Sequence, residues 1–297
     1  MRVDFHVHST ASDGTCSPAE LVAQATAGGF AALALTDHDN CDGIAEFRGA
    51  ASACPRIAGV ELSIEPGAGF DKFHLLGLGV DPANAALKAF LSRVLEGRNA
   101  RNARIVENFR RLGFEMAGTI EAYAHGDVLA RPHFARWLVD RGHAKSVAEA
   151  FARYLAPDAP AATRCYEERY HPSQEEAFAV IHAAGGLCVM AHPKYWRSTW
   201  KTVGCDFAAA GLALAALKEK GLDGVECRYQ ANRPEEDVEF TRLAGQFGFL
   251  KSAGSDFHGR NKPAIPLGME VSEAFIAPLL ERLGVSRAGA LPRKGNG

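Results

Sequence analysis

The stretch Val3-Asp4-Phe5-His6-Val7-His8 is a short apolar, β-branched run that ends in two histidines. Side chains two residues apart on a strand point to the same face, so His6 and His8 can bind one ion together. The next run of this kind, Ala31–Thr36, also leads into a polar cluster, Thr36-Asp37-His38-Asp39. A strand that ends in metal-type side chains is therefore the pattern that predicts both the fold and the site.

Seven short runs of this composition predict strands, at Val3–Val7, Ala31–Thr36, Ile57–Ser63, Phe73–Val80, Leu187–Ala191, Gly224–Arg228 and Phe249–Ala253. They lack in-and-out alternation, which is typical of a parallel sheet covered on both faces. Helical patterns lie between them, and two open with capping boxes, Ser17-Pro18-Ala19-Glu20 and Ser173-Gln174-Glu175-Glu176. The alternation predicts an α/β fold, and seven strands favour a distorted seven-stranded (β/α) barrel over an open sheet.

The strand signal is absent between about Pro82 and Tyr170. Three helical patterns occupy that segment, at Ala83–Leu112, Arg131–Arg141 and Val147–Tyr154. We therefore predict a discontinuous metal-binding barrel of residues 1–81 and 171–290, with residues 82–170 as a helical insertion near the active-site rim. The length of 297 residues fits one such barrel with its insertion.

Composition excludes several classes of protein. The chain has 33 basic and 35 acidic residues, a formal net charge of −2, so no global field attracts nucleic acid or membrane. Met1–Ser9 is polar where a signal peptide needs an apolar run, and no stretch is long enough to span a membrane. The seven cysteines include no Cys-x-x-Cys pair, which indicates reduced thiols. We expect a cytoplasmic protein with no evident obligate protein partner.

Six of the seven predicted strands lead into histidines or carboxylates, namely His6, His8, Asp13, His38, Glu61, His74, His192, Asp256 and His258. In a barrel, the carboxyl ends of the strands meet at one rim, where active sites are built. For any one of these residues taken alone, a structural role is the better explanation. Nine at one rim predict a metal centre, and nine ligands without cysteine favour two or three divalent ions with open positions for water and substrate. Imidazole and carboxylate ligands admit Mn²⁺, Zn²⁺ or Fe²⁺.

Taken in chain order, these motifs resemble those of the PHP (polymerase and histidinol phosphatase) family of metal-dependent phosphoesterases. The resemblance spans Asp4 to His258 outside the insertion, and it implies a distorted seven-stranded barrel, three ions and a preference for Mn²⁺. The implied ligand sets are His6, His8, Glu61 and Asp256 for the first ion, Glu61, His74 and His192 for the second, and Asp13, His38 and His258 for the third. Asp13 stands where many relatives have histidine, and aspartate is a competent ligand.

The insertion, with Ala130-Arg131-Pro132-His133-Phe134, resembles the bacterial subgroup of nucleotide phosphatases and ribonucleases. This implies removal of the 3′-phosphate from 3′,5′-bisphosphonucleotides such as pAp, or trimming of short or 5′-phosphorylated RNA from its 5′ end. A bisphosphate needs a second anchor, and planar guanidinium groups suit that task. The predicted substrate contacts are Arg98, Arg101, Asn102, Arg104, Arg131, His133, Phe134 and Lys194. For each of them, a solvated helix face, capping or packing is the competing interpretation.

We predict that a metal-bound hydroxide held by Glu61 and Asp256 hydrolyses a phosphomonoester, with His133 as a candidate acid for the leaving oxygen. Histidinol phosphate phosphatase is the nearest alternative, and it needs no second phosphate anchor. A non-catalytic, metal-stabilised interaction module would have lost several ligands. An amide or lactone hydrolase would not need Lys194 and the arginines. No Gly-x-x-x-x-Gly-Lys loop is present, which argues against an NTPase.

Overall fold

The computed structural model describes residues 1–65, 72–124, 129–195, 200–201, 204–205 and 207–285. The strands in these ranges are β1 Arg2–Asp4, β2 Ala32–Leu35, β3 Arg56–Ile64, β4 Phe73–Leu78, β5 Leu187–Met190, β6 Trp200–Lys201, β7 Gly204–Cys205, β8 Gly224–Tyr229, β9 Leu250–Gly254 and β10 Met269–Glu270. The α-helices are α1 Pro18–Ala27, α2 Ile44–Gly49, α3 Ala85–Arg111, α4 Arg131–Asp140, α5 Val147–Ala150, α6 Gln174–Ala183, α7 Phe207–Glu219, α8 Pro234–Gln246 and α9 Glu273–Arg282. Residues 286–290, which we assigned to the barrel, lie outside the described residues.

One large sheet forms the barrel, with the strand order β10-β1-β2-β3-β4-β5-β8-β9, and β6 pairs with β7 in a separate hairpin. All seven predicted strands are present in it, which confirms the predicted α/β barrel. The sheet closes on itself because the chain after β1 also pairs with β9 and the residues beyond it. Phe5 N donates to Ala253 O at 3.0 Å, and His8 N donates to Phe257 O at 3.0 Å. Closure brings the first and last predicted strands side by side.

The direction of β4 differs from the prediction. We expected a purely parallel sheet, whereas β4 runs antiparallel to both β3 and β5. The connection between β3 and β4, residues 65–72, is shorter than the dozen or so residues that a parallel crossover needs. His74 therefore lies at the start of its strand, opposite Ser63 near the end of β3. The reversal keeps His74 on the rim where the neighbouring parallel strands end.

Local sequence explains how the helices begin and why the strands are buried. Every residue of β2 and β5 is buried, as expected for strands covered on both faces. The predicted capping box at α1 is complete, because Ser17 N donates to Glu20 Oε2 at 2.7 Å and Glu20 N donates to Ser17 Oγ at 3.2 Å. At α6 only half of the predicted box forms, with Glu176 N donating to Ser173 Oγ at 3.2 Å. These helices pack against the strands in the apolar clusters of the barrel.

The insertion between β4 and β5 is built on α3, the longest helix in the described ranges. The first half of α3 packs into the barrel through Leu87, Phe90 and Val94. Its second half packs into a different cluster, in which Ile105 and Phe109 contact the residues of α4 and α5 and the chain that follows. The separate core of the insertion thus begins within α3. None of the helices in the described ranges is long and apolar enough to cross a membrane.

Candidate active site

The nine predicted metal ligands meet at one rim of the barrel. Eight of them form three groups, and within each group the ligand atoms lie within 4.8 Å of one another: His8, Asp13, His38 and His258; His6, His8 and Glu61; and Glu61, His74 and His192. Asp256 adjoins the second group, because its Oδ1 lies 3.4 Å from His8 Nε2 and 3.7 Å from His6 Nε2. The groups correspond to the predicted ligand sets, except that His8 also borders Asp13 and its neighbours.

Glu61, near the end of β3, is the centre of the rim. Its Oε1 lies 2.8 Å from His74 Nδ1 and 3.1 Å from His192 Nε2. Its Oε2 lies 2.9 Å from His38 Nδ1 and 3.2 Å from His8 Nε2. The side chain is buried, and each of its oxygens faces imidazoles. One carboxylate that faces ligands on both sides has the geometry of a bridge between two ions.

The electrostatics of the rim keep its carboxylates ionised. Burial opposes ionisation of Glu61, but the imidazoles of His6 and His38 outweigh it and hold the pKa of Glu61 well below its usual range. Burial likewise opposes ionisation of Asp13, and His38 and His258 hold its pKa well below the usual range. A carboxylate must be deprotonated to bind a cation, so both residues are ready ligands at neutral pH.

Several buried polar atoms at the rim have no hydrogen-bond partner within the described residues. They are His6 Nε2, His8 Nδ1, His8 Nε2, Asp13 Oδ1 and Glu61 Oε2. Buried polar atoms are normally paired, so a concentration of unpaired ones requires a ligand. Nitrogen and oxygen donors of this kind suit divalent cations of the first transition row. The residues present therefore fit the predicted metal centre.

Backbone strain falls on the same rim. In the described ranges, the non-glycine residues with a left-handed backbone are Asp39 (φ 57°), His192 (φ 26°) and Asp256 (φ 59°). Two of them are predicted ligands, and Asp39 directly follows the ligand His38. Such conformations cost about 1–3 kcal/mol each and cluster at functional sites. The strained backbone at these three residues thus places their side chains at the rim, at a cost in conformational free energy.

The sixth barrel strand, β8, supplies a site residue that the sequence analysis missed. Glu226 is fully buried, and its Oε1 lies 3.1 Å from His6 Nδ1 while its Oε2 accepts from His192 N at 2.6 Å. By engaging Nδ1 it leaves Nε2 of His6 to face the other ligands, the usual role of an outer carboxylate at a metal site. A Cβ at Gly254 would lie 2.2 Å from Glu226 Oε1, so only glycine leaves room there. The sequence feature that could have identified Glu226 is an acidic residue within an otherwise apolar predicted strand.

Replacing Glu226 with glutamine is expected to weaken metal binding by about 10- to 100-fold, since the amide is neutral and cannot accept through both atoms. The measurement is a competition between the protein and a chelator of known affinity. Glu235→Gln, which changes an exposed residue of α8, is the matched control and is expected to leave the metal affinity unchanged. Equal affinities for the two variants would contradict an orienting role for Glu226.

A cavity of about 990 Å³ lies over the rim, and one side of it is strongly basic. Four guanidinium groups line this side, which we call the arginine wall: Arg98, Arg101, Arg131 and Arg169. The first two continue the buried stripe of α3, where the residues before them are apolar. Arg131, at the start of α4, stacks over the rings of Phe151 and Tyr166 at 5.9 and 5.2 Å. The barrel and the insertion therefore enclose the cavity together.

Arg101 differs from Arg98 and Arg169, which pair with Asp39, because it has no acidic partner among the described residues. It is only 4% exposed, and within the described part of the chain no hydrogen bond or ion pair reaches its guanidinium. Burial, together with repulsion from Arg98 and Arg169, lowers the pKa of Arg101 to about 9. It stays charged at neutral pH, so a buried cation faces the cavity without an anion from the protein.

Arg104 and Lys194 lie elsewhere than predicted. Arg104 is half exposed and pairs with Glu167 at 3.4 Å, on a face of α3 that does not line the cavity. Lys194 pairs with Glu236 of α8 at 3.1 Å and also donates to a backbone carbonyl. Neither side chain lines the cavity and each is engaged by a protein partner, so neither is placed to contact phosphate.

Three more of the predicted substrate contacts, two on α4 and one on α3, also have structural roles. Phe134 is fully buried in the core of the insertion, so its ring has no accessible face on which a base could stack. His133 accepts from Ala130 N at 2.9 Å through Nδ1, which is the competing capping role, and it lies outside the cavity walls. Asn102 donates to Leu129 O at 2.7 Å and ties α3 to the chain before α4. The structure offers no support for His133 as the acid.

Two further features of the cavity had no clear signal in the sequence. Arg169 lies in a polar loop, where Nη1 is 2.9 Å from Asp39 Oδ2 and Nη2 donates to Ser63 Oγ at 2.8 Å. The outer oxygen of Asp256 accepts from Tyr229 at 3.0 Å and Lys262 at 2.6 Å, which leaves its Oδ1 turned towards the histidines. Loop residues have no periodicity that could reveal such contacts.

Comparison with known proteins agrees with this geometry. Residues 4–156 match the model of the PHP domain. The chain is 35% identical to the 3′,5′-nucleoside bisphosphate phosphatase of Chromobacterium violaceum, over 86% of this chain and 87% of that protein. This chain belongs to the PHP family. It is also 32% identical to the 5′-3′ exoribonuclease Rnm of Escherichia coli K12, over 90% of this chain and 88% of the relative.

Two solved structures share the fold of this chain. A Chromobacterium violaceum protein named as an amidohydrolase, with bound sulfate and no metal, superposes with a TM-score of 0.80, 30% identity and coverage of 96% of both chains. A Bifidobacterium adolescentis protein named as a metal-dependent phosphoesterase gives a TM-score of 0.75 and 28% identity, over 94% of this chain and 96% of that one. The PHP barrel with its helical insertion is thus the architecture of this group.

Proposed function

We propose that this protein is a metal-dependent hydrolase that removes the 3′-phosphate from 3′,5′-bisphosphonucleotides such as pAp, giving the 5′-monophosphate and phosphate. The observation that carries the proposal is the position of Arg101. Its guanidinium group is buried, has no acidic partner among the described residues, and lines the same cavity as the ligand cluster. Burying an unpaired charge is costly, and a second phosphate held there would offset the cost. The relative from Chromobacterium violaceum is named for this activity.

Different residues of the chain would bind the two phosphates of the substrate. Divalent ions bound by the three ligand groups would lower the pKa of water and neutralise charge on the phosphoryl oxygens. Arg101 and Arg131 would bind the 5′-phosphate through their planar donors, leaving the 3′-phosphate at the rim. Tyr229 and Lys262 would keep Asp256 in position. We favour Mn²⁺ as the metal because of the family resemblance. We also propose that the protein binds nucleotides and acts in the cytoplasm.

Trimming of 5′-phosphorylated RNA is the second candidate, and the size of the cavity favours it. About 990 Å³ is at the upper end of the range of roughly 300–1,000 Å³ for small-molecule sites. The cavity also reaches Val147, Phe151 and Pro157 of the insertion, beyond the arginine wall. This leaves room for more than one nucleotide, and an anchor for a 5′-phosphate would serve RNA as well as pAp.

The test compares phosphate release from pAp and histidinol phosphate, using protein depleted of metal with a chelator and reloaded with Mn²⁺, Zn²⁺ or Fe²⁺. We expect no release without metal, recovery with Mn²⁺, and a kcat/KM for pAp about a hundredfold or more above that for histidinol phosphate. A preference for histidinol phosphate would assign the protein to that alternative. No release from either substrate by metal-loaded protein would overturn both phosphatase assignments and direct the assay to 5′-phosphorylated RNA.

A further inference from the structure

Two of the four guanidinium groups of the arginine wall share one carboxylate. In the described ranges, Asp39 is the acid that ion-pairs with members of the wall. Its Oδ2 accepts from Arg98 Nε at 3.1 Å and from Arg98 Nη2, and it lies 2.9 Å from Arg169 Nη1. All three side chains are almost completely buried. A single buried oxygen therefore holds two guanidinium groups.

The position of Asp39 is fixed by the metal-binding turn. It directly follows the predicted ligand His38, and its backbone N–H donates to Glu61 O at 3.0 Å. Its φ of 57° is left-handed, a conformation that aspartate and asparagine tolerate better than most residues. The carboxylate is thus aimed at the arginine wall by the same turn that presents His38 to the rim.

Arg169 is also connected, through Ser63, to the predicted metal ligand His74. Nη2 of Arg169 donates to Ser63 Oγ at 2.8 Å, and that hydroxyl lies 3.2 Å from His74 Nε2. His74 in turn presents Nδ1 to Glu61. The arginine wall is therefore connected with the ligand cluster on two sides, through the backbone at His38 and through polar contacts at His74.

Without the charge of Asp39, repulsion within the arginine wall would increase. Arg98 and Arg169 already act together with burial to lower the pKa of Arg101, which shows how close these groups are. Like charges repel strongly in a buried environment, because solvent screens them poorly. Unpaired guanidinium groups on long side chains would turn towards water, and the donors of the wall would lose their common direction.

We propose that Asp39 is a positioning residue for the 5′-phosphate of the substrate: it holds Arg98 and Arg169 at the back of the arginine wall, so that Arg101 and Arg131 face the phosphate. This inference rests on the proposed function, because it takes the wall to be the anchor of the second phosphate. Asp39 itself, as an anion, does not contact the phosphate.

The test is calorimetric titration of metal-loaded protein with adenosine 5′-monophosphate, the expected product, and with adenosine, which lacks the phosphate. Wild-type protein is expected to bind the monophosphate at least about tenfold more tightly than adenosine, and Asp39→Asn is expected to lose about tenfold of that affinity. Asparagine keeps the shape and tolerates the left-handed backbone. Asp140→Asn removes a carboxylate from an exposed pair with Arg136 on α4, and as the matched control it is expected to bind like wild type.

Kinetics separate a positioning role from a general loss of structure. Asp39→Asn is expected to raise KM for pAp about tenfold while kcat and metal content change little, and to lower the melting temperature because two buried guanidinium groups lose their carboxylate. Arg169→Gln removes a partner of Asp39 and is expected to have the same effect, which provides a test if Asp39→Asn does not fold. Unchanged binding and KM in both variants would overturn the inference. If wild type bound adenosine and its monophosphate equally, the anchor itself, and with it the proposed function, would fail.

Discussion

Glutamine in place of Glu61 is expected to lower kcat/KM for a bisphosphonucleotide by about a thousandfold or more, equivalent to about 4 kcal/mol of transition-state stabilisation. Both oxygens of this carboxylate face imidazoles, at 2.8–3.1 Å from His74 and His192 and 2.9–3.2 Å from His38 and His8. An amide is neutral and turns an NH₂ group towards one of these sides. The variant is therefore also expected to bind fewer metal ions per chain, which elemental analysis of the purified protein measures.

Glu107→Gln is the matched control for this substitution. Glu107 lies on α3, is substantially exposed and pairs with Arg110 at 2.7 Å. Its replacement is expected to leave metal content and kcat/KM within about twofold of wild type, as surface pairs contribute little. If Glu61→Gln kept full metal content and full activity, Glu61 would not be a ligand, and the bridging assignment would be wrong.

Methionine in place of Arg101 is expected to weaken substrate binding and, at the same time, to stabilise the folded protein. Loss of two charge-assisted hydrogen bonds to the 5′-phosphate would raise KM for pAp about 100-fold, with kcat much less affected. The unpaired charge is also removed from a buried position, which is expected to raise Tm by about 2–4 °C, near 1 kcal/mol. Steady-state kinetics and thermal unfolding without substrate measure the two effects.

The control for Arg101→Met is Arg93→Met, on the same helix. Arg93 is half exposed and pairs with Glu176, so its loss is expected to change neither KM nor Tm appreciably. An unchanged KM in Arg101→Met would place the phosphate anchor elsewhere in the cavity. A lower Tm would show that Arg101 is held by a partner and that its charge is structural.

The clustering of the nine candidate ligands could be predicted from sequence because strand ends locate these residues without any knowledge of tertiary packing. The direction of β4 could not, since composition is the same for parallel and antiparallel strands, although the short connection 65–72 was a signal. His74 nevertheless lies at the rim, because it is at the start of the antiparallel strand β4. Glu226 was missed because it stands inside a strand, where only its burial reveals that it faces His6.

Substrate contacts were harder to predict because they depend on helix phase and on loops. Arg98, Arg101 and Asn102 fall on the buried stripe of α3, and Arg104 falls off it, a distinction that the 3.6-residue period could have made. Arg169 lies in a loop without periodicity, and only the folded chain brings it to Asp39. The Phe134 ring packs inward for a similar reason, because the insertion needs a core of its own.

Closure of the barrel between β1 and the chain around β9 determines when the metal centre can assemble. In chain order, His6 and His8 precede most of the barrel, whereas Asp256 and His258 follow almost all of it. During synthesis, β1 therefore has an unpaired edge on one side until β9 and β10 emerge, and such edges are prone to wrong pairing. Contacts between residues so distant in sequence also form slowly. The complete ligand set, and hence the loading of metal, is a late event in the maturation of this chain.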